Sequence, residues 1–212
     1  MVGLGINKSI LFNRQETITL FCCGVIAALV MLSGFITYAG IEIEPEQKKR
    51  TALIIGNGRY ESAPLKNPEN DAIDMANLLR ECGFAVDIKT NVTKRQMEES
   101  IRRFGKNLQA GGTGLFYYAG HGMQVEGRNY MIPVEAKIET ESDVKYEAVD
   151  AGKVLGKMED AANDLNIVIL DACRNNPYAR SFRSVVPGLA RMDAPKGSFI
   201  SYSTAPGSVA AD

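Results

Sequence analysis

This chain has very little histidine, and its net charge is close to zero. The 212 residues include one histidine, and the formal net charge is -1. A zinc site would have to depend on cysteine and carboxylate ligands, and no pair of cysteines has zinc-site spacing. Phosphate binding needs a clustered positive field, so the near-neutral charge argues against nucleic acid as a partner. No metal site is predicted.

Cysteine is also too sparse for a disulfide framework. Cys22 and Cys23 lie in an apolar segment near the start, which leaves only Cys82 and Cys173 for the rest of the chain. Small disulfide-stabilised domains use more cysteines than that. A redox or zinc protein is therefore the least favoured of three classes of function, after an enzyme and a binding module.

One long apolar run is present. Residues 18–39 contain no charged side chain. At 1.5 Å per residue this run can cross a hydrocarbon core of roughly 30 Å. Lys8 and Arg14 precede it, and three glutamates follow within residues 41–46. Because the positive flank stays in the cytoplasm, the later residues are expected on the other side of the membrane.

Three interpretations of this run are considered. A cleaved signal peptide would use the small residues Thr37 and Ala39, but the run exceeds the 7–15 residues of a typical signal core. A buried core helix is the second, and an uncleaved signal anchor is favoured. The predicted layout is a cytoplasmic segment 1–17, a transmembrane segment 18–39, a linker 40–49 and a domain 50–212. The domain would lie on the periplasmic side, anchored, or exported if the anchor is removed.

Residues 50–212 alternate between strand and helix patterns. Short apolar runs ended by glycine or polar residues predict buried strands, and 3.6-residue periodicity predicts helices. A hairpin is predicted at 123–132 and a long loop at 174–195. Predicted strands cover 51–56, 84–89, 114–119, 167–171 and 197–202, and predicted helices cover 68–82, 93–111 and 150–163. This order predicts an α/β fold of three layers, with a mainly parallel central sheet between helices.

Two predicted strands lead to chemically active residues. Gly120-His121-Gly122 follows strand 114–119, and Cys173 follows strand 167–171. Ligands of open α/β sheets bind beyond the carboxyl ends of the strands. An imidazole can make a cysteine thiolate, and the amides of Gly122 and Cys173 could stabilise an oxyanion. Taken singly, a structural histidine and a cysteine acting as a small core hydrophobe are the alternatives.

The motifs around these residues resemble a known family. Residues 117–122 (YYAGHG) and 171–174 (DACR) are similar to the two catalytic motifs of caspases and metacaspases, and the histidine precedes the cysteine by about 50 residues, as in that family. Residues 52–57, 65–72 and 127–134 also match. The resemblance implies a caspase-like fold and a cysteine endopeptidase with His121 and Cys173 as the catalytic dyad.

Substrate preference is inferred from a departure within that resemblance. Caspases that cut after aspartate carry glutamine two residues before the cysteine, where this chain has Asp171. Metacaspases specific for basic residues are similar here and place an acid at the position of Asp71. Two carboxylates attract arginine or lysine, so cleavage after Arg or Lys is predicted. The alternative for Asp71 is a charge at a helix N-terminus.

Three further expectations concern regulation and completeness. The arginines of loop 174–195 suggest self-cleavage, with a solvated basic loop as the alternative. Some metacaspases need calcium, but no dedicated acidic loop is evident, so no cofactor is predicted. Family members usually continue beyond the point where this chain stops, so the domain is expected to be truncated at its C-terminal end. A caspase-like binding or regulatory module that has lost turnover is the alternative function.

Overall fold

The computed structural model describes residues 49–108, 111–173 and 188–203, with Cys173 described by its backbone. Contacts divide the chain into two units, Met1–Glu44 and Pro45–Asp212, and the described residues all belong to the second. The predicted membrane segment 18–39 and its flanks lie outside the described residues, as does 174–187 of the predicted loop. Within the described ranges, no helix has the length and apolarity needed to cross a membrane.

The helices and strands follow the predicted alternation. The strands are β1 (Arg50–Gly56), β2 (Ala85–Thr90), β3 (Thr113–Val125), β4 (Arg128–Met131), β5 (Val149–Asp150), β6 (Leu165–Cys173) and β7 (Ser198–Tyr202). The helices are α1 (Pro68–Glu81), α2 (Lys94–Asn107), α3 (Val144–Glu147) and α4 (Gly152–Asp160), with a 3-10 turn at Glu141–Asp143. The short elements between 141 and 150 were not predicted.

The sheet is mainly parallel, as expected. Strands β2, β1, β3, β6 and β7 pair in parallel in that order, while β4 and β5 add an antiparallel extension beside β3. β1 is buried along nearly its whole length, which explains its continuous apolar sequence. The prediction of an α/β fold with helices around a mainly parallel sheet is confirmed.

Helix α1 begins at the carboxyl end of β1 and covers one face of the sheet as it runs back towards the start of that strand. Pro68 occupies the first turn, and Gly83 follows the helix with a φ of 78°. A Cβ at Gly56 would overlap the Pro68 carbonyl oxygen and lie 2.6 Å from the Ala72 Cβ. Glycine at the end of β1 therefore lets the start of α1 pack directly on the sheet.

Helices α2 and α4 cover the opposite face. Their apolar residues form one core with β1, β3 and β6; this core includes Leu53, Phe104, Phe116, Met158 and Leu170. Helix α2 begins with a capping box, in which the Thr93 side chain accepts from the Gln96 amide and the Gln96 side chain accepts from the Thr93 amide. The predicted end of this helix near residue 111 was wrong. α2 ends at Asn107, since Leu108 turns to extended backbone and is buried in the core.

Strand β3 is longer than predicted. The strand was expected to end at residue 119 with Gly120-His121-Gly122 beyond it, but β3 runs through these residues to Val125. β1 stops pairing at Gly56, and β4 then pairs with the continuing strand. The predicted hairpin is confirmed, and its turn residues Glu126 and Gly127 both have positive φ, as a tight two-residue turn requires.

Candidate active site

His121 and Cys173 are neighbours across two parallel strands. They form the last register pair between β3 and β6. Adjacent strands lie about 4.8 Å apart, so the two backbones are separated by one strand spacing. The sequence predicts these residues at the same edge of one sheet, and the structure places them beside each other there.

The backbone N–H and carbonyl of His121 are each held by a tyrosine hydroxyl. The His121 N–H donates to Tyr60 Oη at 2.9 Å, and Tyr118 Oη donates to the His121 carbonyl at 2.7 Å. The Ile132 N–H donates to the same carbonyl at 3.0 Å. His121 is only 3% exposed, so each of these bonds forms away from water. The hydroxyls lie where β1 has ended and the pairing of β3 with the last residues of β4 begins.

The imidazole ring is oriented by a backbone carbonyl. Nε2 of His121 lies 2.8 Å from the Ala63 carbonyl oxygen, and the Tyr60 ring packs on the imidazole with centroids 4.4 Å apart. A carbonyl oxygen only accepts hydrogen bonds, so Nε2 carries the proton. In the neutral ring, Nδ1 is therefore the basic nitrogen.

The loop that carries Ala63 is fixed at its base by two asparagines. Asn57 is fully buried; its side chain accepts from the Val92 N–H at 3.0 Å and donates to the Ile132 carbonyl at 3.1 Å. The Asn91 side chain accepts from two consecutive amides at the start of the loop, both at 2.9 Å. These bonds join the start of the loop to the ends of β1, β2 and β4. They hold in place the part of the loop from which the chain leads to Ala63.

Gly122 has its amide on the β6 side of β3. The bond from Ile132 N–H to His121 makes Gly122 and Met131 a non-hydrogen-bonded pair, so the Gly122 N–H points away from β4. In the regular ladder this amide faces the Cys173 carbonyl. A Cβ at position 122 would lie 2.7 Å from the Ala172 Cβ, so glycine is required for the two strands to pack.

The chain returns beside this glycine after the segment 174–187. Leu189 is buried, and its side chain would contact a Cβ at Gly122 at 3.3 Å. The Asn129 side chain holds the next residue through two bonds of 2.7 Å each: it donates to the Ala190 carbonyl and accepts from the Ala190 N–H. β4 thus holds Ala190, and the preceding Leu189 lies beside Gly122 of β3.

The two predicted substrate-binding carboxylates come from different layers. Asp171 is half-buried in β6 and accepts a hydrogen bond from Tyr117 Oη at 3.2 Å. It pairs in register with Ala119, on the face that α1 covers. Asp71 is half-buried in the first turn of α1. Both acids lie at the carboxyl end of the sheet, but α1 packs over β1, which β3 separates from β6.

The described residues contain no group of three or more histidine, cysteine, aspartate or glutamate side chains placed to hold a metal ion. The Ala63 carbonyl contacts the His121 ring, and two tyrosine hydroxyls and the Ile132 N–H contact its backbone.

Comparison with known proteins identifies the family. The family model of the caspase domain, Peptidase C14, matches residues 49–212. This chain belongs to the caspase-domain peptidases. The resemblance drawn from the histidine and cysteine motifs is thereby confirmed, and members of this family are cysteine peptidases.

Two curated proteins are similar to this caspase domain. Human mucosa-associated lymphoid tissue lymphoma translocation protein 1 is 31% identical over 168 residues, which cover 79% of this chain and 20% of that protein. Cell death protein 3 of Caenorhabditis remanei is 28% identical over 148 residues, covering 68% of this chain and 27% of that protein. The matched region thus spans only a fifth to about a quarter of these relatives.

A solved structure of a Geobacter sulfurreducens protein matches with a TM-score of 0.48 and 21% identity, covering 60% of this chain and 52% of the other.

Sequence reasoning missed the groups that surround the histidine. Tyr118 lies inside the motif used for recognition, but its hydroxyl contacts were not predicted. Tyr60 and Ala63 belong to the loop after β1, and the polar residues that follow this buried strand were the signal available.

Proposed function

We propose that this caspase domain is a cysteine endopeptidase in which His121 and Cys173 form the catalytic dyad. The observation that carries the proposal is the register pairing of these residues beside a histidine ring whose Nε2 is bound to the Ala63 carbonyl. This bond leaves Nδ1 as the nitrogen able to take a proton from a thiol. A buried ring with a fixed tautomer is suited to a general base.

The chemistry follows from those groups. His121 Nδ1 accepts the thiol proton of Cys173, and the thiolate attacks the scissile carbonyl carbon. The tetrahedral intermediate collapses as the imidazolium gives its proton to the leaving amine, which leaves a thioester on Cys173. Water then attacks the thioester with His121 as the base, which releases the acid product and restores the thiol.

The amides of Gly122 and Cys173 are the proposed oxyanion donors. One such donor lowers the barrier by roughly 3 kcal/mol in serine proteases. In the β3–β6 ladder the Gly122 amide faces the Cys173 carbonyl and the Cys173 amide faces the Gly120 carbonyl, so these last rungs have to open before either amide can bind a substrate oxygen. Substrate binding at the strand ends would supply that opening.

Cleavage after Arg or Lys is the proposed specificity. Asp171 lies two residues before Cys173 on the same strand, and Tyr117 Oη holds one of its carboxylate oxygens. A carboxylate so close to the nucleophile favours a cationic side chain before the scissile bond and repels an acidic one. Asp71, at the same end of the sheet, is the proposed second acid.

A peptide panel tests both proposals on the full chain. Matched peptides with Arg, Lys or Asp before the scissile bond are compared in the parent protein, Cys173→Ala and Asp171→Asn. We expect cleavage of the Arg and Lys peptides, none by Cys173→Ala, and a loss of about tenfold to a hundredfold in kcat/KM for Asp171→Asn. Faster cleavage after Asp than after Arg would refute the specificity. Peptide binding without any turnover would favour a binding module.

Self-cleavage within residues 174–195 is also proposed, from the arginines in that segment and the basic specificity. Purified parent protein should yield fragments that begin within this segment, and Cys173→Ala should stay whole. Identical fragments from both proteins would refute the proposal.

The apolar run 18–39 is proposed to anchor the protein, with the caspase domain on the periplasmic side, or to direct its export. The run is uncharged, with basic residues before it and acidic residues after it. Protease added to intact cells with a permeabilised outer membrane should digest the domain, whereas a cytoplasmic marker survives. Protection equal to that of the marker would contradict this topology.

A further inference from the structure

The geometry points to Tyr60 and Tyr118 as positioning residues that hold the catalytic histidine through its backbone N–H and carbonyl. We call the two hydroxyls the tyrosine clamp. This inference rests on the proposed function of His121, and neither residue is proposed to touch substrate.

The clamp binds both ends of the His121 residue. Tyr60 Oη accepts from the His121 N–H at 2.9 Å, while Tyr118 Oη donates to the His121 carbonyl at 2.7 Å. The two oxygens are 3.3 Å apart, and each also lies 3.1 Å from the Ile132 carbonyl oxygen. All these groups are buried, so water does not compete for them.

The clamp fills a break in the sheet. β1 pairs with β3 only as far as Ala119, and β4 pairs from Gly122 onward. The His121 N–H falls between the part of β3 that pairs with β1 and the part that pairs with β4. In a continuous ladder, a main-chain carbonyl of the neighbouring strand would accept its hydrogen bond. A buried unpaired amide is costly, and the Tyr60 hydroxyl supplies the missing acceptor.

The sequence around the clamp is built for it. A Cβ at Gly120 would lie 2.7 Å from both hydroxyl oxygens, so only glycine leaves room for them. The Tyr60 ring also packs on the imidazole with an angle of 50° between the planes. Tyr60 therefore touches the histidine twice, through its ring and through its hydroxyl. Phenylalanine would keep the ring contact and remove the hydroxyl alone.

The test uses full-length Tyr60→Phe and Tyr118→Phe. Because His121 is the only histidine in the chain, its ring ¹⁵N signals are unambiguous in protein made without a histidine tag. The parent should show one tautomer, with the proton on Nε2. Each variant should show a mixed tautomer signal and a kcat lower by about tenfold to a hundredfold at nearly unchanged KM, since misplacement of a catalytic group slows the chemical step.

Two controls separate positioning from general damage. Tyr146→Phe removes a tyrosine hydroxyl from a side chain that is largely exposed, and it should leave the histidine signals and kcat unchanged. Thr93→Ala weakens the capping box of α2 and lowers stability without touching the clamp. At a temperature where all variants are folded, Thr93→Ala should keep the single tautomer.

The outcomes distinguish this inference from the proposed function. Folded Tyr→Phe variants with the parental tautomer and kcat would overturn the clamp, as would altered ring signals with an unchanged kcat. If the parent cleaves no peptide, the proposed function fails, and the ring signals still decide whether the hydroxyls hold His121. If one variant does not fold, the other is decisive, because each hydroxyl binds a different end of the same residue.

Discussion

The substitution Gly120→Ala tests how tightly β3 is packed beside the histidine. The backbone φ at Gly120 is 154°, a value that L side chains rarely adopt, and such strain costs about 1–3 kcal/mol. The new Cβ would also lie 2.7 Å from the hydroxyl oxygens of Tyr60 and Tyr118. Ordinary carbon–oxygen contacts begin several tenths of an ångström farther out, so both rings would have to move. Overpacking of this kind adds about 1–3 kcal/mol.

The matched control for this substitution is Gly127→Ala. Gly127 has a φ of 76° in the hairpin turn, but nothing lies within 4 Å of a Cβ built there. It therefore carries backbone strain without overlap, and its cost should be about 1–2 kcal/mol. The combined terms predict about 2–6 kcal/mol for Gly120→Ala.

Urea unfolding followed by circular dichroism measures the free energy of unfolding of both variants. Activity adds a second readout, because the displaced hydroxyls hold the His121 peptide. Gly120→Ala at a temperature where it remains folded should lose most of its kcat, whereas Gly127→Ala should keep its own. Equal losses of stability in the two variants would refute the overlap argument.

Two further predictions concern helix α2 and the edge strand β2. Thr93→Ala should lower the free energy of unfolding by about 1 kcal/mol, because α2 loses the cap that Thr93 and Gln96 form; urea unfolding would measure this, and no change would contradict a stabilising role for the cap. Burial would raise the pKa of Asp87, but hydrogen bonds from Lys89 and Arg103, at 2.7 Å and 2.5 Å, outweigh it and lower the pKa overall. A lowered pKa stabilises the fold above the ordinary carboxyl range and loses this effect as pH falls. The free energy of unfolding of the parent should therefore exceed that of Asp87→Asn by about 0.5–1 kcal/mol near pH 7. Most of this difference should persist down to about pH 4 and be lost as pH falls further, through the lowered pKa, and a difference that grows on acidification would contradict the ion pairs.

Much of the domain could be predicted because its signals are local. The apolar runs of β1 and β6 are continuous since parallel strands are buried on both faces, and the run length alone places the element. The capping box at Thr93 and the hairpin turn at Glu126 and Gly127 are likewise short-range features. Each depends on residues within a few positions of one another, and the hairpin was predicted correctly.

The errors in element length have a tertiary cause. The end of β3 was expected at residue 119, because Gly120 ends the apolar run there. The strand continues because β4, reached through the hairpin, replaces β1 as its neighbour. α2 ends early because Leu108 finds a buried place in the core. Pairing partners and core vacancies are set by the whole fold, so local patterns do not report them.

Residue types and their spacing along the chain identify which residues can carry the chemistry: one histidine, one cysteine about 50 residues later, and the order of strands that brings them to one edge of a sheet. The groups that hold the histidine are brought to it by the folding of the chain. The group that orients its ring is the main-chain carbonyl of Ala63, which any residue at that position would supply. The hydroxyls that hold its backbone N–H and carbonyl belong to Tyr60, which lies 61 positions earlier, and to Tyr118, which lies 3 positions earlier. Backbone acceptors and long-range hydroxyl contacts leave no signature in residue identity, because they depend on where the chain has folded.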